Sequence, residues 1–409
     1  MSTTITTPKI ALIGSGPVSL TLASILHSYR IPFLLYEATS SIRTAGGSLD
    51  LHPLAGQQAL REAGLWEAFV KYARPEADCL KLVDPKTGEV VWDENAKTGE
   101  EKKEEGEVNE GNHGRPEIDR ARLVQILHES LAPGTVQFGK KLVRAEPSPA
   151  SAEGRVKYDL HFADGSSETG IDILVGGDGT WSVVRRLLSN VKPHYSGVTV
   201  LETWINDTSL PENSWAVGYV GAGSMFAFGE GLAVQAQRQG DGSLRTYASL
   251  QVPEDFLESC GIDWEKKDAA REEYMGRYFA HVSPDLQRLV KESKDQATPR
   301  KLYELPVGWT WPTRSGVTLI GDAAHVMTPF AGVGVNVGMA DAMVLAKEIK
   351  KVWEGEQGID EALQAYEKDM FPRAEKNASK TARNKKLHFS AGGCQHMAEM
   401  LKKHAEQGK

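Results

Sequence analysis

Gly321-Asp322-Ala323-Ala324-His325, continued by Thr328-Pro329-Phe330-Ala331-Gly332-Val333-Gly334-Val335-Asn336, joins a carboxylate to a run of small residues. Small residues let backbone N–H groups and a helix N-terminus come close to an anion, so the chemistry on offer is the holding of a phosphate-bearing ligand. Gly176-Gly177-Asp178-Gly179 is built in the same way, and Gly14-Ser15-Gly16-Pro17-Val18-Ser19 is a run of small residues without the carboxylate. Each stretch needs an element to aim it. The apolar runs Val317 to Ile320, Lys9 to Ile13 and Ile171 to Val175 read as buried strands. A helix is expected after each turn, with Leu20, Leu22, Ala23, Ile25 and Leu26 at helical spacing in one case and residues from Gly338 to Ile349 in another. In an open α/β sheet, ligands sit beyond the carboxyl ends of the strands, so the three turns could converge on one crevice.

The first turn approaches the dinucleotide fingerprint GxGxxG, with Ser19 at the third glycine, where a small residue still permits close packing of helix on strand. Pro32 to Glu37 reads as the second strand of a βαβ unit. Its terminal Glu37 lies about 20 residues after the glycines, where a ribose-binding acid belongs, and a carboxylate there favours the unphosphorylated adenosine ribose of FAD or NAD over NADP. Arg43 precedes the turn Gly46-Gly47, which feeds Ser48-Leu49-Asp50-Leu51-His52 with Asp50 and His52 on one face. Arg43 reads as a solvated hairpin residue or as a ligand contact. A helix is expected from about Pro53 to Lys71. Asp119 is a plausible N-cap that sets Arg120 in a first helical turn, where its charge opposes the helix dipole and calls for an anion.

Bulk properties exclude several classes. The 409 residues suffice for two or three domains, and an apolar fraction of 40% is that of a globular protein. A net charge of −8, from 47 basic and 55 acidic residues, argues against nucleic acid as partner. Cys79, Cys260 and Cys394 form no CxxC pair and there is no HExxH, so no disulfide framework and no metal site are expected. The first apolar run is too short for a signal sequence or membrane span, and the cytoplasm is the expected location. Monomer and dimer are equally open.

Between the second and third turns the pattern becomes one of short alternating segments, Val198 to Ile205, Ser214 to Tyr219, Ser224 to Phe228, Leu232 to Gln237 and Leu244 to Leu250. They read as a mostly antiparallel sheet distinct from the cofactor domain. Glu202, Trp204, Gln235 and Gln237 would face solvent or a ligand. The polar stretch from Asp93 to Gly114 carries no chemistry. A charged helical segment is expected from Pro253 to Lys294, helices over Ile359 to Phe371 and Arg373 to Leu387, and a last helix after Gly392-Gly393.

Taken together, Gly14-x-Gly16-x-x-Ser19 with Glu37, Gly177-Asp178-Gly179, and Gly321-Asp322-Ala323-Ala324-His325 with Pro329 to Asn336 resemble the class A flavin-dependent monooxygenases, the para-hydroxybenzoate hydroxylase-like enzymes, over nearly the whole chain. Gly46 to His52, Arg115 to Arg120 and Pro329 to Asn336 look most like the tetracycline-inactivating members, which would make antibiotic resistance one role. Those relatives carry a neutral amide where this chain has Glu202. The resemblance implies an α/β fold: a Rossmann-like FAD-binding domain of the glutathione reductase type (residues 1–75, 113–190 and 300–372), interleaved with a mostly antiparallel-sheet substrate domain (76–112 and 191–299), and a C-terminal helical segment (373–409). It further implies that Gly14, Gly16 and Glu37 hold the adenosine and diphosphate of FAD, that Asp50 and Arg120 are further FAD contacts, and that Gly321 and Asp322 lie by its ribityl or pyrophosphate portion. Asp178 would serve both cofactors, Arg43 would meet NADPH, and Pro329, Gly332, Val335 and Asn336 would flank the reactive ring. The implied reaction is NADPH-driven hydroxylation of an electron-rich aromatic or enolic substrate by O2 through a flavin C4a-hydroperoxide, without a protein nucleophile or metal; the alternatives are a flavoprotein reductase without oxygen transfer and a hydroxylase of simple aromatic acids. His325 is expected to be structural.

Overall fold

The computed structural model describes residues 7–42, 46–95, 114–148 and 156–407. Ile10–Ile13 forms the centre of a five-stranded parallel sheet because all four of its side chains are buried, as a strand covered on both faces requires. The strand order is Val317–Leu319, Ile173–Gly176, Ile10–Ile13, Leu34–Tyr36 and Val136–Gln137. Ile13 sits level with Gly176 on one side and Tyr36 on the other, so the three turns that follow these strands and Val317–Leu319 leave the sheet along one edge. The helix Pro17–Ser28 starts with a proline, whose missing N–H costs nothing in a first turn. It packs against the helix Gly334–Trp353, and Val18 occupies the space that a Cβ on Gly321 or Gly338 would need.

A second sheet has seven strands in the order Gln296–Glu304, His194–Ile205, Leu244–Gln251, Leu232–Arg238, Ser224–Gly229, Leu80–Val83 and Val90–Asp93. It is antiparallel except where Ser224–Gly229 runs parallel to Leu80–Val83. One face carries Leu201, Val234, Ala236, Ala248 and Met225 and is covered by the helices Lys267–Tyr278 and Pro284–Glu292. The fold is thus α/β, with a Rossmann-like parallel sheet, a largely antiparallel second sheet and C-terminal helices.

Several local expectations change. Ser214–Val220 is a helix, not a strand, because Ala216 and Val220, four residues apart, share the buried face. Trp215 anchors it, stacking under Arg288 and donating to Glu292 at 2.7 Å. The expected helix after Pro53 breaks into a wide π-type turn, Pro53–Gln57, and the helices Gln58–Glu62 and Trp66–Val70, with Gly64 at φ +71° between the last two. Val184–Leu187, after the second glycine turn, is only a 3-10 turn. Conversely, Ile359–His388 is one continuous helix through Pro372, since a proline removes a single backbone donor and the flanking turns are tied by Arg373 to Asp369 and Asp341. Gln296–Glu304 was not foreseen as a strand; it carries Pro299 and lies at the sheet edge, where proline is tolerated. Among the described residues no helix is long and apolar enough to cross a membrane, and no group of side chains could hold a metal ion.

Candidate active site

The three glycine turns meet. Gly14 has φ +93°, and a Cβ there would lie 2.5 Å from the carbonyl oxygen of Gly177, so only glycine permits this approach. Ser19 is buried with its hydroxyl against Gly177, which makes it a packing residue at the crossing of helix and strand. Gly16, by contrast, faces open space at the start of the helix Pro17–Ser28. Glu37 ends the neighbouring strand. Its Oε2 accepts from the N–H and hydroxyl of Ser15 (2.7 and 2.9 Å), and its Oε1 from those of Thr39 (2.9 and 2.8 Å). Burial works to raise its pKa, but these bonds outweigh it and hold the carboxyl below its ordinary value. The four bonds take up the acceptor sites of the carboxylate, so a ribose hydroxyl would bind it by displacing one of these local donors.

The second and third turns are tied by a residue that the motifs did not mark. The buried guanidinium of Arg185 donates to the carbonyls of Ala323 (2.8 Å), Asp322 (3.1 Å) and Thr180 (2.8 Å). Asp178 folds back on its own loop, accepting from Ser182 at 2.5 Å and from the N–H of Val183 at 2.7 Å, while burial pushes its carboxyl upward. The Asp322 side chain is exposed beyond the edge of the sheet. His325 is structural, as expected: its Nε2 lies 2.6 Å from the fully buried Asp341, which also accepts from the N–H of Gly321 and from Arg373. Burial lowers the imidazole pKa, but Asp341 outweighs it and the net shift is upward.

Pro329, Gly332, Val335 and Asn336 form the next stage. Pro329–Ala331 is a 3-10 turn closed by Gly332 at φ +64°, and Gly334 opens a 20-residue helix with free space over its first turn. Asn336 is buried and acts as a clamp. Its Oδ1 accepts from the N–H of His52 (2.8 Å) and Gly56 (3.4 Å), and its Nδ2 donates to the carbonyl of Asp50 (2.8 Å). Asp50 pairs with Arg115 at 3.5 Å and approaches Gly332. Arg120 fills the space beside Gly46, and its N–H donates to Gly47. The Asp119 carboxylate does not cap the helix; it accepts from the N–H of Gly240 and from Arg74, joining this region to the seven-stranded sheet. Arg43 lies outside the described residues.

Glu202, Trp204, Gln235 and Gln237 share the face of that sheet opposite its helical cover. Thr298, Glu202, Tyr247, Gln235 and Phe226 form one cross-strand row, and Gln296, Trp204, Arg245, Gln237 and Ser224 the next. Gly47 caps one end: a Cβ there would meet Gln237 at 2.7 Å and the Tyr247 hydroxyl at 3.0 Å. At the other end Phe330, from the turn Pro329–Ala331, packs with Phe228, Ala233 and Phe389. Asn384 in the long helix donates to the carbonyl of Phe330 at 3.1 Å, and His388 stacks on Phe228 at 3.9 Å. The polar face is therefore flanked by Gly47 at one end and by Phe330 at the other. Glu202 accepts from the Trp204 indole N–H at 3.2 Å, from Arg245 at 3.4 Å and from Arg300 at 2.7 Å.

The glycine cradle, the ionised ribose-type acid at Glu37, the open helix start at Gly16 and the open helix start at Gly334 fit a long dinucleotide carrying a ring at one end. The sequence of residues 7–381 matches the FAD binding domain family, and the chain belongs to that family. It is an FAD-dependent monooxygenase. It is 30% identical to monooxygenase penA of Penicillium thymicola, over 96% of this chain and 98% of that one. It is 26% identical to the FAD-dependent urate hydroxylase of Klebsiella pneumoniae, over 88% and 85%. The solved structure of Klebsiella pneumoniae HpxO with FAD and uric acid shares the fold (TM-score 0.75, 21% identity, 97% and 93% covered). Tetracycline destructase Tet(55) also shares it, at TM-score 0.70 and 16% identity over 97% and 94%, which is a likeness of fold alone.

Proposed function

We propose that this enzyme uses NADPH and O2 to hydroxylate an electron-rich aromatic or enolic ring held on the seven-stranded sheet. The observation that carries the reading is the convergence of three glycine turns at one sheet edge, continued by the turn Pro329–Ala331, whose Phe330 packs at one end of the polar sheet face. Gly14, Gly16 and Glu37 would hold the adenosine and pyrophosphate of FAD, with Asp322 and Gly321 beside the ribityl chain and Asp50 and Arg120 further along. Ser19 and Asp178 would act by shaping the turns. Pro329, Gly332, Val335 and Asn336 would border the ring, where the partial positive charge of the helix start at Gly334 favours electron density on the ligand. Bound FAD supplies hydride acceptance from NADPH and the activation of O2 for transfer of one oxygen atom. The protein's own work is positional: Asn336 fixes the loop, Asn384 and Phe330 fix its far side, and Gly47 and Phe330 flank the polar sheet face.

Hydroxylation of urate and of 3-amino-4-hydroxybenzoate, named for relatives at 26% and 28% identity, supports a ring substrate. A polycyclic, tetracycline-like substrate is supported by the motif resemblance at Gly46 to His52 and belongs in the same panel. The test is to incubate purified, flavin-loaded protein with NADPH, air and a panel of phenols, aromatic acids, purines and tetracyclines, and to compare NADPH consumed with product bearing one added oxygen. NADPH loss that yields only hydrogen peroxide across the panel would refute the proposal.

A further inference from the structure

Around the strand Glu117–Asp119 the charges do not balance. Among the described residues two guanidiniums, Arg74 and Arg115, meet four carboxyl groups, those of Asp50, Asp78, Glu117 and Asp119. Arg74 is shared: it donates to Asp119 at 3.2 Å, to Ser48 at 2.8 Å and to the carbonyl of Arg238 at 3.2 Å, and only approaches Glu117, at 3.5 Å. Arg115 pairs with Asp50 at 3.5 Å, and its backbone N–H donates to Asp78 at 3.0 Å. Glu117 is left over. It is 7% exposed, and its Oε2 has no hydrogen-bond partner among the described residues. Burial pushes its pKa up to about 7; the carboxylates of Asp50 and Asp78 add to the rise, and Ser48 and Arg74 oppose it. The nearby Cys79 thiol is kept neutral by its own burial and by Glu117.

This acid lies next to the candidate cofactor site. Glu117 is the cross-strand partner of Asp50, so both side chains stand on one face of their two-stranded sheet. Asp50 in turn reaches Gly332, which closes the turn Pro329–Ala331: a Cβ on Gly332 would lie 3.9 Å from its Oδ1. His52 and Asp50, 3.1 Å apart with side chains 26% and 28% exposed, join the pair to water. We propose that Glu117 takes up one proton from water when bound FAD accepts a hydride, and returns it when the FAD is reoxidised. A hydride carries two electrons and one proton, so its arrival adds one negative charge beside Asp50. The Glu117 carboxylate becomes a carboxylic acid, and the net charge of the region is restored. Proton and electrons then favour each other's binding by the same factor. The inference rests on the proposed placement of the ring at Gly332, not on the fate of the oxygen.

The test is redox potentiometry of the FAD-loaded full chain under nitrogen, reduced with dithionite at a series of pH values. Above about pH 7, where Glu117 is ionised before reduction, the wild-type midpoint potential should fall with pH more steeply than that of Glu117→Gln. The difference should reach up to about 30 mV per pH unit, for one extra proton on a two-electron couple. Below that pH the two slopes should agree, and Glu117→Asp should keep part of the difference. The reduced-minus-oxidised infrared spectrum of the wild type should gain a protonated-carboxyl band above about pH 7 that Glu117→Gln lacks, which a merely structural acid would not give. Equal slopes at every pH, or no such band in the wild type, would overturn the proposal; the wild-type band decides the matter should the variant fail to fold. Asp50→Asn checks the placement of the ring: it should raise the potential at every pH, and a potential indifferent to it would remove the ring from Gly332 and overturn the proposal with it. Failure of oxygen transfer would appear separately, as NADPH consumed without oxygenated product, and leaves the potentials readable.

Discussion

His388 should make the protein lose stability on mild acidification, and the size of the loss follows from its surroundings. The imidazole ends the helix Ile359–His388, is 7% exposed, stacks on Phe228 and meets Phe330 edge-on. Its Nδ1 has no partner among the described residues, and burial alone pushes its pKa down from 6.5 to about 4. The unfolded chain therefore binds a proton that the folded one refuses between those values, and stability falls as pH drops through that window. At pH 5 the unfolded histidine is almost fully protonated and the folded one barely so, which costs about 2 kcal/mol relative to pH 7.5; the full shift is worth roughly 3 kcal/mol. Denaturant unfolding of the wild type and of His388→Phe at the two pH values isolates the effect, because carboxylates that titrate in both proteins cancel in the double difference. The wild type should lose about 2 kcal/mol more than the variant. Equal losses would refute the argument that this imidazole is buried neutral between Phe228 of the sheet and Phe330.

Asn336→Ala removes a clamp of three hydrogen bonds and leaves the buried N–H of Gly56 and the partly buried backbone groups of His52 and Asp50 without that partner; a cost on the order of 2 kcal/mol is expected, with more NADPH wasted as peroxide per turnover. Arg185→Met orphans the carbonyls of Thr180, Asp322 and Ala323, so flavin occupancy after dialysis and the melting temperature should both fall. Asp322→Ala separates ligand binding from folding: its exposed side chain predicts a stability change within about 0.5 kcal/mol, but weaker FAD retention. Unchanged flavin content in that variant would remove Asp322 from the cofactor site. Gly14→Ala should yield no flavin-bound protein, because its Cβ would collide with Gly177 at a position already in the left-handed region.

The sequence by itself determined the parts whose cause is local. Apolar runs that end in glycine, and the need for positive φ at Gly14, Gly321 and Gly332, announce turns that hold a ligand whatever surrounds them. Glu37 was legible for the same reason, since its distance from the glycines is fixed by one βαβ unit. Tertiary structure decided the rest. Ser214–Val220 reads as a strand by alternation and becomes a helix because Trp215 has Arg288 and Glu292 to dock on. Arg185, Asp341 and Asn384 carry no motif; their partners lie in other elements, and only packing brings them together. The same holds for the polar sheet face. Glu202 was visible as a charge on a strand, but that Arg300 claims it and leaves Arg245 half-paired depends on which strands lie side by side, a register set by the burial of the opposite face and not by any residue within the patch.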